Sequence, residues 1–370
     1  MKFVQEVESA LIKPIVIAHR GASGYRPEHT LAAYELAIAQ GANFIEPDLV
    51  ATRDGWLICR HENALAVLQP DGTVNATDTS TDVYRRTEFA ARLTTKRVDG
   101  REIRGWFSED FTLADIKTLR AIERIPALRP ANTAYDGLYE IPTFDEVITL
   151  VKTHEARTAE RVGVYPETKH PSYFLHDGHR LDGEPIAIHL GERVLATLRD
   201  QRFCDPARVF IQSFEVGNLR ELARDLLPRA HRDLPLIQLI EADGAPYDLQ
   251  LIGSPRRYRE LLQPTGLADI ARYARGVGVF KQLVIPRDNA DALSEPTGLV
   301  KEAHDAGLLV HAWTFRAENH FLPTPWRGAG AGSAHGDLRA ELVRHLEAGL
   351  DGVFCDHPDL AVQAIGAMRP

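Results

Sequence analysis

Short apolar runs alternate along this chain with segments in which apolar residues repeat at helical spacing. Runs of the first kind are typical of buried strands, and the second spacing is typical of amphipathic helices. The runs predict eight strands, at 14–18, 43–50, 162–168, 208–213, 235–240, 276–280, 308–313 and 351–355. Helical patterns lie between them, at 30–40, 189–200, 215–227, 265–275, 297–306 and 337–348.

The order of these segments indicates the fold class. Strands that alternate with helices favour a parallel sheet, because a parallel pairing needs a long crossover connection. Gly41, Gly307 and Gly349 follow the last periodic residue of three helical patterns, where a left-handed residue commonly ends a helix. Eight such units predict an α/β fold, a single (β/α)8 TIM-barrel domain over 1–370, and an open doubly wound sheet is the alternative.

One apolar run, 56–61, does not fit the alternation. Only ATRDG separates it from the strand at 43–50, which is too short for a helical crossover, and Asp54-Gly55 is a hairpin turn signal. The pattern therefore predicts a β-hairpin over 43–61 that places residue 61 about opposite residue 46.

The polar stretch 63–140 is expected to be an insertion after the second barrel strand, at the catalytic face. It shows little periodicity before two helix starts, where Thr112 with Asp115 and Thr143 with Glu146 have the spacing of capping boxes. The second start predicts a helix at 144–152. The Gly-rich segment 328–336 is expected to be a flexible loop, and long insertions at such a face often form lids or substrate walls.

Composition excludes several classes of protein. The 370 residues carry 43 Lys and Arg against 52 Asp and Glu, a formal net charge of −9, which is poorly suited to nucleic-acid binding. Cys59, Cys204 and Cys355 show no CxxC spacing, so a thiolate metal site is not expected. No apolar stretch reaches the roughly 18 residues of a membrane span. The N-terminus lacks a signal-peptide core, which favours a cytoplasmic protein, or a periplasmic or secreted one whose signal was removed.

Three consecutive predicted strands end in charged residues. His19 and Arg20 end the first, and Glu46 and Asp48 lie two apart on the second, so that both carboxylates face one side. Two carboxylates this close repel each other unless a cation lies between them, and oxygen ligands suit calcium, magnesium or manganese. Each feature alone is equally typical of surface ion pairs.

The third strand ends in Glu167 and Lys169, which also share a face, and the hairpin brings His61 near Glu46. Carboxylates for a hard cation, two positive side chains for an anion and two imidazoles for proton transfer together indicate phosphoester cleavage. The chain has no HExxH, GxSxG or Walker P-loop motif to support proteolysis, serine hydrolysis or nucleotide hydrolysis.

The segments HRGASGYRPEHT, EPDL, DGWLICRHE, YPETKH, IQSFE, HAWTF and DGVFCDHPD, taken together, resemble the glycerophosphodiester phosphodiesterases, particularly their longer bacterial, periplasmic-type branch. The resemblance covers most of the chain. It implies a TIM barrel with an insertion after the second strand and hydrolysis of glycerophosphodiesters, such as glycerophosphocholine or glycerophosphoethanolamine, to sn-glycerol 3-phosphate and an alcohol.

The resemblance also implies roles for individual residues. His19 and His61 match the catalytic histidines, of which His19 is the favoured base and His61 the favoured acid. The remaining matches are metal ligands at Glu46, Asp48 and Glu167, phosphate contacts at Arg20 and Lys169, and apolar substrate contacts at Phe214 and Trp313, with Arg316 a weaker substrate candidate. One position departs from the family, since Glu62 stands where an Asp usually follows the second histidine.

Two alternatives remain open at this stage. A lysophospholipase D on a related barrel would need an apolar groove, for which Trp106, Phe107 and Phe111 of the insertion are candidates. A binding protein that kept the barrel without turnover is the non-enzymatic alternative. The expected partner is a small-molecule glycerophosphodiester with calcium or magnesium as cofactor, and both a monomer and a homodimer are compatible with the sequence.

Overall fold

The computed structural model describes residues 13–368, so most of the segment on which the prediction about a secretory signal depends lies outside the described residues. The strands are β1 Ile15–His19, β2 Phe44–Glu46, β3 Asp48–Ala51, β4 Leu57–Cys59, β5 Ala64–Val67, β6 Thr94–Val98, β7 Arg101–Phe107, β8 Gly163–Val164, β9 Glu167–Thr168, β10 Ile211–Ser213, β11 Leu236–Ile240, β12 Gly276–Phe280, β13 Leu309–Phe315 and β14 Gly352–Cys355. The α-helices are α1 Leu31–Ala39, α2 Leu113–Thr118, α3 Phe144–Thr158, α4 Leu190–Asp200, α5 Val216–Glu221, α6 Leu227–Arg229, α7 Tyr247–Leu251, α8 Tyr258–Leu261, α9 Pro264–Ile270, α10 Lys281–Val284, α11 Leu299–Asp305, α12 Leu338–Glu347 and α13 Pro358–Ala367.

The main sheet is a closed barrel. Its strand order is β4-β3-β9-β10-β11-β12-β13-β14-β1-β2-β8, and every pair except β3–β4 is parallel. The second predicted strand is divided at Pro47 into β2 and β3, and the third at Pro166 into β8 and β9, because proline has no N–H to donate to a neighbouring strand. Each divided strand counts once, which leaves eight barrel strands. The (β/α)8 prediction is confirmed and the open sheet is excluded.

The predicted hairpin is present as the antiparallel pair β3–β4. Ala51 pairs with Leu57, and the Arg60 N–H donates to the Asp48 carbonyl at 3.0 Å. Residue 61 therefore lies about opposite residue 47, one position from the predicted partner. The hairpin places the residues after β4 beside the carboxyl end of β2 and the start of β3.

The insertion is more regular than its sequence predicts. Within 63–140, β5, β7 and β6 form a second antiparallel sheet. The prediction missed it because β6 and the start of β7 are largely solvent-exposed and carry charged residues rather than an apolar run. A usable signal was present, since Asp99-Gly100 adopts positive φ at both positions, as the tight turn between β6 and β7 requires.

Both predicted capping boxes are formed. The Thr112 hydroxyl accepts from the Asp115 N–H, and the Thr143 hydroxyl accepts from the Glu146 N–H. Helix α3 continues to Thr158, beyond the predicted end at residue 152. The helix predicted over 215–227 is instead interrupted by a π-helical turn between α5 and α6.

Aromatic rings fill the barrel interior. Tyr165 stacks on Phe210 at 5.0 Å and meets Phe354 edge-on at 5.1 Å, while the Tyr165 hydroxyl lies 2.7 Å from His311 Nδ1. The interior is thus packed, and a site must lie at the mouth of the barrel. No helix within residues 13–368 has the length and apolar character needed to cross a bilayer.

Candidate active site

His19 is held by a carboxylate from the neighbouring strand. Strand β1 ends at His19, and the parallel pairing of Ala18 with Cys355 brings Asp356 beside it. His19 Nδ1 donates to Asp356 Oδ1 at 2.6 Å. Because Nδ1 carries the proton, Nε2 keeps its lone pair. Burial and the Arg20 charge lower the pKa of His19 to about 4, although Asp356 opposes them, so the ring is neutral near pH 7.

Asp356 is in turn fixed by two arginines. Arg129 Nη2 and Arg316 Nε both donate to Asp356 Oδ2. These charges hold the pKa of Asp356 well below its usual range despite burial, so it is ionised wherever His19 is neutral. Arg316, the weaker substrate candidate, lines the cavity. Its guanidinium donates to Asp356.

Glu46, Asp48 and Glu167 converge at the barrel mouth. The parallel pairing of β3 with β9 places Asp48 beside Glu167, and one carboxylate oxygen of each of the three residues lies within 4.8 Å of the others. All three are buried. Burial, followed by the charges of Asp48 and Glu167, raises the pKa of Glu46 well above its usual range.

This cluster fits a hard divalent cation. Burial and Asp48 raise the pKa of Glu167 to about 8, against the influence of Lys169. Asp48 Oδ1 is buried and accepts no hydrogen bond, with Lys169 Nζ 3.4 Å away. Crowded carboxylates with an unused oxygen are the donor set that calcium or magnesium prefers. A bound cation would offset the repulsion that raises these pKa values.

Arg20 and Lys169 border the same carboxylates. The Arg20 N–H donates to Glu46 Oε2 at 2.8 Å, and its guanidinium lies 2.9 Å from Glu28 and 3.4 Å from Asp48. Lys169 Nζ lies 2.8 Å from Glu167 Oε1. Both side chains line the cavity and stay charged, since neighbouring carboxylates raise their pKa values against burial.

His61 is linked to the insertion through three further residues. Its Nδ1 lies 3.0 Å from Glu62 Oε1, and Glu62 Oε2 accepts from His170 Nε2 at 2.9 Å. His170 Nδ1 donates to Asp99 Oδ2 at 2.7 Å, in the turn between β6 and β7. The two carboxylates raise the pKa of His170 well above its usual value against burial, so it carries a charge between them. The longer side chain of Glu62 allows it to contact both histidines.

The cavity between these groups has a volume of about 660 Å³ and includes both His19 and His61 in its wall. Phe214 and Trp313 line another part of it, with ring centroids 5.8 Å apart and edge to face. The structure therefore brings together all nine site residues predicted from the sequence.

The apolar groove suggested for an acyl chain is absent from the predicted place. Trp106, Phe107 and Phe111 are 6%, 0% and 0% exposed, and they pack inside the insertion rather than facing the cavity. The expectation was wrong because the insertion has its own sheet and needs these rings as its core.

Several residues of the site were not assigned from the sequence. His29 Nε2 donates to Asp48 Oδ2 at 2.8 Å, and Glu28 Oε2 accepts a hydrogen bond from the Arg20 guanidinium. Both His29 and Glu28 lie in the segment HRGASGYRPEHT. Asp356 lies in the quoted DGVFCDHPD segment directly after a barrel strand, a position that signals a residue at the mouth. Asp99 and Arg129 come from the insertion, where the Asp99-Gly100 turn signal marks the first position and no sequence pattern indicated the second.

Comparisons with known proteins agree with this architecture. The model of the glycerophosphoryl diester phosphodiesterase family matches residues 19–360. The chain is 35% identical over 319 residues to glycerophosphodiester phosphodiesterase GDPD6 of Arabidopsis thaliana, covering 84% of this chain and 76% of that protein. It is 29% identical to the glycerophosphodiester phosphodiesterase of Haemophilus influenzae, covering 96% and 90%.

Solved structures also match. An Oleispira antarctica phosphodiesterase in complex with the product sn-glycerol-3-phosphate aligns with a TM-score of 0.54 at 21% identity, covering 96% of this chain and 97% of that one. A glycerophosphodiester phosphodiesterase from Agrobacterium tumefaciens aligns with a TM-score of 0.51 at 17% identity, covering 94% and 99%. At these identities the likeness supports the barrel fold.

Proposed function

The chain belongs to the glycerophosphoryl diester phosphodiesterase family, and we propose that it hydrolyses glycerophosphodiesters to sn-glycerol 3-phosphate and an alcohol by metal-dependent, two-histidine acid–base catalysis. The observation that carries the proposal is that one cavity is lined by His19 and His61 and bordered by the carboxylate cluster. Membership of the family makes the chain a glycerophosphodiester phosphodiesterase; the substrates, the ion and the roles of the residues are the proposal.

Substrate binding depends on positive charge at the barrel mouth. Glu46, Asp48 and Glu167 would hold the divalent ion, whose charge offsets that of the phosphate oxygens when it is bound. Arg20 and Lys169 contribute fixed positive charge beside Asp48 and Glu167. Phe214 and Trp313 provide apolar contact for the glycerol or the alcohol portion.

His19 is assigned as the general base. Its Nδ1–H is held by Asp356, so Nε2 can accept a proton, and Asp356 stabilises the imidazolium that then forms. The proton comes from the attacking oxygen, which is either water or the glycerol 2-hydroxyl in a route through a cyclic phosphate. The new P–O bond forms as the bond from phosphorus to the alcohol oxygen breaks. In the cyclic route, water then attacks phosphorus and the bond to the glycerol 2-oxygen breaks, with that oxygen taking up a proton, which gives sn-glycerol 3-phosphate.

His61 is assigned as the general acid. In the free protein, burial and the charges of Arg20 and Lys169 lower the pKa of His61. A bound phosphodiester anion offsets those two charges, so substrate binding raises the pKa and favours the protonated ring. Glu62 stabilises that ring from the other side, and the proton passes to the leaving alcohol oxygen.

The test is hydrolysis by the full-length protein with calcium or magnesium present. Glycerophosphocholine and glycerophosphoethanolamine are the substrates, sn-glycerol 3-phosphate is the measured product, and His61→Ala is the matched inactive variant. The proposal predicts that product forms with the wild type and at a rate about 10²–10⁴-fold lower with the variant. Faster release of choline from lysophosphatidylcholine than from glycerophosphocholine would favour the lysophospholipase D alternative. The absence of sn-glycerol 3-phosphate with both diesters would refute the proposal.

A further inference from the structure

A second group of metal-ligand side chains lies beside the catalytic histidine network. Glu318 follows β13, His357 follows β14, and His335 lies in the Gly-rich segment before α12. Each residue offers one ligand atom, and these atoms all lie within 4.8 Å of one another. None of the three belongs to the carboxylate cluster that receives the hard cation.

The backbone fixes His335 in this group. The Asn319 N–H donates to the Ala334 carbonyl at 2.7 Å, and the Gly336 N–H donates to the Ala317 carbonyl at 2.9 Å. These bonds pair Glu318 with His335 as antiparallel neighbours. The C-terminal end of the Gly-rich segment is therefore held against residues 317–319, and the expected flexible loop does not extend to His335.

Two buried polar atoms of the group have no partner. Glu318 and His357 are both 0% exposed, yet Glu318 Oε2 and His357 Nε2 make no hydrogen bond. Buried polar groups are normally satisfied, and an unpaired one is costly. Arg129 Nε donates to the other Glu318 oxygen, which is how a ligating carboxylate is commonly oriented.

The state of the side chains suits a metal ligand. His357 Nδ1 accepts the Ala317 N–H at 3.4 Å, so Nε2 is the ring nitrogen without a partner. The ring of His335 meets that of His357 edge-on, with centroids 5.0 Å apart. Since His335 is exposed, an ion can enter from solvent without unfolding the mouth of the barrel.

We propose that Glu318, His335 and His357 form a second metal site, selective for a borderline ion such as Zn²⁺. Two imidazoles and one carboxylate are a common zinc ligand set, with a fourth position left for water. The oxygen-only cluster of Glu46, Asp48 and Glu167 instead prefers hard ions. The two sites therefore differ in donor chemistry as well as in place.

A metal ion bound here would cross-link the connection between β13 and α12, through Glu318 and His335, to His357 at the end of the last barrel strand. Arg129 contacts both Glu318 and Asp356, and Asp356 holds His19. The second ion thus acts on the support of His19 rather than on the phosphate.

The experiment is calorimetric titration of the full-length protein with Zn²⁺ in excess Mg²⁺. Glu46→Gln serves as the background, because it impairs the oxygen cluster and so prevents Zn²⁺ from displacing Mg²⁺ there. His335→Ala removes one proposed ligand at an exposed position, where folding is not at risk. His320→Ala is the matched control, since His320 is an exposed histidine of the same connection outside the group.

The proposal predicts that the Glu46→Gln protein binds one Zn²⁺ and that adding His335→Ala weakens this binding at least about 10-fold, as even the loss of an outer partner can. Adding His320→Ala is expected to leave it unchanged. Zn²⁺ is also expected to raise the unfolding temperature of the background protein but not of the His335→Ala protein. The proposal is overturned if the background binds no Zn²⁺, if His335→Ala binds it equally well, or if His320→Ala causes the same loss.

Discussion

His19 Nδ1 lies 2.6 Å from Asp356 Oδ1, and the two residues are 337 positions apart in the chain. The contact exists because β14 closes the barrel against β1, so that the last strand supplies the partner of a histidine on the first. It determines which ring nitrogen carries the proton and which one faces the cavity. The function assigned to His19 depends on this pair.

Asp356→Asn is expected to lower kcat by about 10²–10⁴-fold with little change in KM. The amide keeps the shape of the carboxylate but cannot stabilise an imidazolium. Asp359→Asn is the matched control, because Asp359 is close in sequence and contacts Tyr25 instead of His19. Steady-state kinetics on glycerophosphocholine measure the effect, with thermal unfolding to verify the fold. Equal activity of the two variants would exclude the support role of Asp356.

The division of roles between the histidines predicts a dependence on the leaving group. A nitrophenolate leaves without protonation, whereas choline leaves as an alkoxide that needs a proton. His61→Ala is therefore expected to lose about 10²–10⁴-fold on glycerophosphocholine and much less on a p-nitrophenyl ester of glycerol phosphate. His19→Ala is expected to lose activity on both. If kcat/KM on the p-nitrophenyl ester instead falls strongly in His61→Ala and little in His19→Ala, then His19 is the acid and His61 is the base.

His170 is predicted to contribute stability that depends on pH. Its folded pKa lies well above the unfolded value of about 6.5, so the contribution is fully present below pH ~6.5 and is lost as the pH rises through the folded pKa. His170→Gln should thus be less stable than the wild type at pH 6, and the difference should shrink at high pH. Urea unfolding at several pH values measures it, with His231→Gln, at an exposed histidine, as the control. A difference that does not vary with pH would show that His170 is not charged in the folded state.

Much of this architecture could be predicted from the sequence because the barrel strands are apolar runs and the helices carry their own caps. The nine predicted site residues lie at the ends of strands or in the hairpin, where periodicity fixes both position and direction. Glu46 and Asp48 are an example, since both carboxylates belong to the same cluster although Pro47 divides their strand.

The remainder depends on contacts between distant segments, which local patterns do not encode. Asp99 meets His170 across 71 positions, and Arg129 meets Asp356 across 227. Both partners from the insertion lie in segments without apolar periodicity. The sheet β5-β7-β6 was missed for the same reason, although Asp99-Gly100 is a recognisable turn.

The central claim is that hydrolysis requires a divalent ion held by Glu46, Asp48 and Glu167. The most direct test is the rate of sn-glycerol 3-phosphate release from glycerophosphocholine by the chelator-treated full-length protein, before and after adding calcium or magnesium. We expect the chelator to abolish the activity and one of the two ions to restore it in the wild type but not in Glu167→Gln. Full activity in excess chelator would contradict the account.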